Sequence, residues 1–169
     1  MKVNKKIFLI GMMGSGKSTI GAALATRLAS PFLDTDVVIE KMEGKSIQQI
    51  FEQEGEAYFR VLEERFIQHL TNEAAVVACG GGLPCFFNNM ELLCAKGSVV
   101  YLKAAPALLY QRINGDGRRP KLQDLETFTR LNSEREETYQ KAHIIMNAAQ
   151  PKEQIVAQLL SLHETISNQ

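Results

Sequence analysis

Five apolar runs rich in β-branched residues recur along the chain, at positions 7–10, 32–33, 75–79, 99–102 and 144–146, and helical patterns separate them. Alternation of this kind predicts an α/β fold, a five-stranded parallel sheet with helices on both faces. The first helix carries Ile20, Leu24 and Leu28 at i, i+4 and i+8. A short helix is expected after Asp36, to about Met42, then a turn at Gly44. Ser46-Ile47-Gln48-Gln49 has the S-x-x-Q form of a capping box, and a longer helix should follow with Phe59, Leu62, Phe66 and Leu70 on one stripe. Leu125, Phe128, Asn132, Arg135 and Tyr139 share a later helical face. Ile155, Leu159, Leu162 and Ile166 mark a closing helix. No internal repeat or low-complexity segment interrupts the pattern.

Directly after the first apolar run stands Gly11-Met12-Met13-Gly14-Ser15-Gly16-Lys17-Ser18, a complete GxxxxGK[ST] phosphate-binding loop. Its glycines let successive backbone N–H groups turn inward toward phosphate oxygens. Lys17 adds a full positive charge, and Ser18 a hydroxyl for a metal ion. The preceding strand and following helix are the context this motif requires, so the first ligand is read as a nucleoside triphosphate.

Composition narrows what else the chain can do. Its 169 residues suit one domain with a proper core. Nineteen basic and nineteen acidic residues cancel, which leaves no global field to attract a nucleic-acid backbone. No apolar run approaches a membrane span, and Met1-Lys2-Val3-Asn4-Lys5-Lys6 leads straight into the first strand, so the expectation is a cytoplasmic protein without a signal peptide. Cys79, Cys85 and Cys94 match no zinc spacing and pair with none of His69, His143 and His163; they are read as reduced and structural, with Cys79 close to the site but outside its chemistry.

Ligands of an open parallel sheet gather at the carboxyl ends of its strands, and three further groups fall there. Asp34-Thr35-Asp36 ends the second run, and residues two apart on a strand share a face, so both carboxylates can point into one cavity. One would fix a metal's water and the other an acceptor hydroxyl; the alternative is that Asp36 caps the helix beginning at Val37. Gly80-Gly81-Gly82 is longer than a turn needs, which implies close backbone approach to a ligand, or else a loose connection. Arg60, Arg119 and Arg135 offer planar forks for a carboxylate or phosphate. Glu63, at i+3 from Arg60, makes either a surface bridge or an orienting partner. Asn114-Gly115-Asp116-Gly117-Arg118-Arg119-Pro120-Lys121 reads as a mobile basic loop over about 114–123.

Taken together, Gly-x-x-Gly-Ser-Gly-Lys-Ser-Thr-Ile-Gly, Asp-Thr-Asp, Phe-Arg-x-x-Glu, Gly-Gly-Gly, Arg-Pro and Arg-x-x-x-Tyr, in this order across nearly the whole chain, resemble the shikimate kinase family. The resemblance implies a P-loop kinase three-layer sandwich and ATP-dependent phosphorylation of the 3-hydroxyl of shikimate, in a protein that is a monomer without nucleic-acid or membrane partners. It implies that Gly14, Ser15, Gly16, Lys17, Ser18 and Thr19 hold ATP phosphates, that Ser18 ligates Mg²⁺ with Asp34 acting through water, and that Arg112 and Pro151 flank adenine. It places Asp36 on the acceptor hydroxyls, Arg60 and Arg135 on the carboxylate, Gly81 and Gly82 as backbone contacts, and Arg119 on the transferring phosphate; Lys17, Asp36 and Arg119 are the catalytic set. Two positions depart from the family's usual pattern: Lys121 in the lid, and Glu137 where a proline is usual, which should straighten that helix. The competing readings are another P-loop kinase, acting on gluconate or a nucleoside monophosphate, and a nucleotide-binding switch without catalysis.

Overall fold

A computed structural model describes residues 6–71, 73, 75–114 and 124–167. Arg119, Lys121 and nearly all of the expected lid lie outside the described residues. The strands are β1 Lys6–Ile10, β2 Phe32–Asp34, β3 Val76–Ala78, β4 Gly97–Lys103 and β5 Ile144–Asn147. They form one sheet in the order β2-β3-β1-β4-β5, every pairing parallel. Eight α-helices are described: α1 Lys17–Leu28, α2 Thr35–Glu43, α3 Ile47–Glu54, α4 Glu56–His69, α5 Asn89–Lys96, α6 Pro106–Asn114, α7 Leu125–Tyr139 and α8 Lys152–Ser167. Among the described residues no helix is long and apolar enough to cross a membrane.

The sheet buries both faces, which is why its central strand is apolar at every position from Ile7 to Ile10. Phe8 and Ile10 of β1 join Val77, Val99 and Tyr101 in a core with Ile67, Leu93, Leu109, Phe128 and Tyr139, from α4 to α7. Ile7 and Leu9 point the other way, to Val76, Val100, Ile20, Leu24, Ile155 and Leu159, the last four from α1 and α8. This period-two division turns a continuous apolar run into two separate cores. Gly21 is the tightest point of the second, because a Cβ there would sit 2.6 Å from Phe32 Cε2.

Three local expectations change. The strand at 32 extends to Asp34 and stops, so Asp34 and Asp36 do not share a strand face. Asp34 is itself the N-cap of α2, its Oδ1 accepting from the N–H of Asp36 at 3.1 Å and of Val37 at 3.5 Å; Asp36 lies in the helix's first turn and is not its cap. The single long helix expected after Ser46 is two helices. Ser46 and Gln49 do form the reciprocal capping box, but α3 ends at Gly55, whose φ of 85° and ψ of 167° a side chain would resist. Finally, α7 runs without interruption through Glu137, yet Leu125 at its start is exposed rather than part of the buried stripe of Phe128 and Tyr139.

Candidate active site

At the carboxyl end of β1 the phosphate loop turns through Gly11, Gly14 and Gly16, all with positive φ. Gly14 and Gly11 are also closed to any larger residue, since a Cβ would meet Leu109 O at 2.7 Å and Leu102 O at 2.8 Å. Lys17 Nζ donates to the loop's own carbonyls, Gly11 O at 2.8 Å and Met12 O at 2.9 Å. Ser15 is buried behind the loop, whereas Ser18 and Thr19, on the first turn of α1, are exposed. Ser18 Oγ donates to Asp34 Oδ2 at 2.5 Å. Asp34 thus divides its work: one oxygen caps α2, the other meets the hydroxyl beside the phosphate loop. Asp36, one residue past Thr35, faces the same cavity of about 490 Å³, lined also by Gly16, Lys17, Ser18, Gly80 and Gly81.

Each glycine of the triplet makes room for a different charged or polar group. A Cβ on Gly80 would lie 2.7 Å from Asp36 Oδ1 and 3.0 Å from Glu63 Oε1; on Gly81, 3.2 Å from Arg135 Nη1; on Gly82, 2.5 Å from Arg60 Nη1. None of the three has a positive φ, so the requirement is space rather than backbone conformation. The backbone of the triplet is partly engaged within the protein: Gly80 N–H donates to the buried Thr35 Oγ1 at 2.8 Å. Thr35 was not singled out in the sequence, although its place between the two aspartates was the available signal.

Arg60 is not a solvated bridge. Arg60 is 8% exposed, and its Nη1 donates to Glu63 Oε2 at 2.8 Å while Nε and Nη2 donate to Glu56 Oε1 at 3.1 and 2.8 Å. Glu56 at i−4 completes a helical pair that its spacing alone could have signalled. Burial lowers the Arg60 pKa, but the bonds to Glu63 and Glu56 outweigh it and hold the guanidinium charged. Glu63, fully buried, is pushed up to about 7, chiefly by burial; the Arg60 bond opposes the shift and the nearby Asp36 adds to it. Both values rise, which favours the charge on Arg60 and disfavours the charge on Glu63, because Glu63 loses all its solvation while Arg60 keeps a second partner at the surface.

Arg135 reaches the site from α7, where its Nη1 donates to Met12 Sδ at 3.7 Å. Tyr139, one turn later, donates to Gly81 O at 2.7 Å and also faces Met12 Sδ at 3.7 Å. Met12 therefore touches Lys17 through its carbonyl and the α7 pair through its side chain, a role the loop motif treats as variable. Behind Arg135, Glu136 accepts from Tyr101 and Lys103, both at 2.6 Å. On the opposite flank, Arg112 Nη1 donates to Ala148 O at 2.9 Å and more weakly to Gly14 O at 3.4 Å. That bond ties α6 to the loop that ends in the exposed Pro151. Cys79 lines the cavity floor, and burial pushes its thiol well above the ordinary range, so it stays protonated and inert. All three cysteines are free.

Comparison with known proteins decides what this arrangement belongs to. The shikimate kinase family model matches residues 13–164. The chain belongs to the shikimate kinase family. A shikimate kinase of Sulfurihydrogenibium is 44% identical over 93% of this chain and 96% of its own length; that of Aquifex aeolicus is 38% identical over 92% and 94%. The shikimate kinase of Acinetobacter baumannii, solved in complex with shikimate, superposes with a TM-score of 0.88 at 36% identity, covering 99% of this chain and 96% of that one. A gluconokinase of Sinorhizobium meliloti superposes with a TM-score of 0.63 at 19% identity, a likeness of fold alone.

Proposed function

We propose that this chain, as one catalytic domain, transfers the γ-phosphoryl group of ATP to the 3-hydroxyl of shikimate. The observation that carries the reading is the single cavity in which the phosphate-loop residues Lys17 and Ser18 meet Asp34, Asp36 and the glycine triplet, with Arg60 and Arg135 bordering that triplet. One end offers a cradle for polyphosphate. The other offers a carboxylate for a hydroxyl and two guanidinium forks for a carboxylate, the polar groups of shikimate.

Gly14, Ser15, Gly16, Lys17, Ser18 and Thr19 hold the phosphates, and Arg112 and Pro151 bracket the adenine. Asp36 accepts the acceptor hydroxyl's hydrogen bond and orients its oxygen at the γ-phosphorus. A loose phosphoryl-transfer transition state asks for positioning and charge neutralisation more than for a strong base. Arg60 and Arg135 bind the substrate carboxylate, with Gly81 and Gly82 against the ring. Arg119, outside the described residues, supplies positive charge to the transferring phosphate when the lid closes and excludes water.

Members of a kinase family use a divalent metal with ATP, and the residues present fit Mg²⁺. Ser18 Oγ and Asp34 Oδ2 are hard oxygen donors in contact at 2.5 Å. Ser18 and Asp34 would hold the ion, which would supply positive charge to the phosphates. A cytoplasmic monomer acting on small molecules completes the reading.

A coupled ADP-release assay with shikimate, gluconate, a nucleoside monophosphate and no acceptor tests it. Release should depend on shikimate and on Mg²⁺. Turnover indifferent to shikimate overturns the proposal.

A further inference from the structure

Phe86 stands over the Arg60 guanidinium, its ring centroid 4.1 Å from Cζ. The two glutamates hold the fork's three nitrogens from its edges, and Gly82 leaves no room for a Cβ beside Nη1 and Nη2, but hydrogen bonds tolerate some angular spread, so edge contacts alone still allow the plane to rock. A stacked ring removes that freedom, because cation–π attraction is strongest with the cation held over the ring face. Phe59 lies farther away, at 5.4 Å, and does not do this.

The loop is built to deliver that ring. A 3-10 turn, Leu83–Cys85, follows the glycine triplet, and Phe86 leaves it in an extended conformation. The fully buried Asn89 pins the loop from below, its Nδ2 donating to Leu83 O at 2.9 Å and its N–H to Phe86 O at 3.2 Å. Phe87 then adopts φ 52°, a left-handed conformation that a bulky residue enters only under constraint, and leaves its own ring 58% exposed. The strained residue turns outward while its neighbour lies on Arg60.

We infer that Phe86 is a positioning residue for acceptor binding: it fixes the plane of the Arg60 fork so that a substrate carboxylate can be met by two parallel N–H···O bonds. A tilted fork makes one good bond in place of two. This rests on the acceptor reading given above.

The experiment compares wild type, Phe86→Leu, and a chain with a ring-fluorinated phenylalanine at position 86, which keeps the shape and weakens the π face. Each is assayed with shikimate and with its uncharged methyl ester. Expected is a rise of about five- to tenfold in KM for shikimate in Phe86→Leu, a smaller rise with the fluorinated ring, unchanged kcat and KM for ATP, and little effect of either change with the ester. Equal losses with acid and ester, or no loss with the acid in either altered chain, overturn the inference. Should Phe86→Leu not fold, the fluorinated chain alone decides. Failure of the wild type to use shikimate at all would instead overturn the acceptor reading.

Discussion

Glu63 makes stability depend on pH in a direction opposite to that of most paired carboxylates. Its folded pKa is about 7 against an ordinary 4.5. Between those values the folded state holds a proton that the unfolded state has released, so unfolding becomes easier as pH rises through this window. The contribution is fully present below about pH 4.5 and gone above about pH 7. Between about pH 5.5 and about pH 8.5 the linkage relation gives a loss of about 2 kcal/mol from this one group. Other groups titrate as well, so the measurement is a difference. Glu63→Gln keeps the shape and a hydrogen-bonding oxygen toward Arg60 but cannot ionise, and Arg60 retains Glu56. Urea denaturation of both proteins at the two pH values should show the wild type losing about 2 kcal/mol more than the variant. Equal losses would mean that Glu63 is ionised throughout and that Arg60 outweighs its burial.

Three further outcomes follow from the geometry. Gly82→Ala would set a Cβ 2.5 Å from an Arg60 fork that is already held on several sides; KM for shikimate should rise by at least about tenfold, with KM for ATP within about twofold. Asp36→Asn should lower kcat by about a hundredfold or more while ATP affinity, measured by calorimetry, stays near the wild-type value; a parallel loss of ATP affinity would move Asp36 to the nucleotide side. In Gly21→Ala, a helix-propensity gain of about 1 kcal/mol opposes an overpacking cost of about 1–3 kcal/mol against Phe32, so the melting temperature should fall by a few degrees, and a rise would show that α1 can shift away.

The strands were legible because burial on both faces writes itself as continuous apolar runs, and the phosphate loop because three glycines and a lysine leave little else to build. The capping box at Ser46 was equally plain. Gly55 was harder: its positive φ divides α3 from α4, but a lone glycine in a helical pattern looks the same whether it ends a helix or is merely tolerated. Asp34 and Asp36 were recognised as a pair, yet the strand-to-helix transition between them was not, so the geometry inferred for them was wrong while the shared cavity was right. Glu56, Thr35, Met12 and Phe86 act through contacts with residues elsewhere in the chain or one helical turn away, and their roles were not read from the motifs around them. The glycine triplet reads from the sequence as a close approach to a ligand, whereas the groups the structure sets beside it are the protein's own side chains.

Met12 gives the molecule a mechanical property beyond its list of contacts. Its carbonyl receives Lys17, and its sulfur receives Arg135 and lies against the Tyr139 hydroxyl. A phosphate ligand that drew Lys17 away would therefore act on the residue against which Arg135 leans. The link is an unbranched, polarisable thioether, compliant enough to follow a small displacement without breaking the packing. Whatever free energy passes through it must be reciprocal: any factor by which the nucleotide alters acceptor affinity, the acceptor must return to the nucleotide.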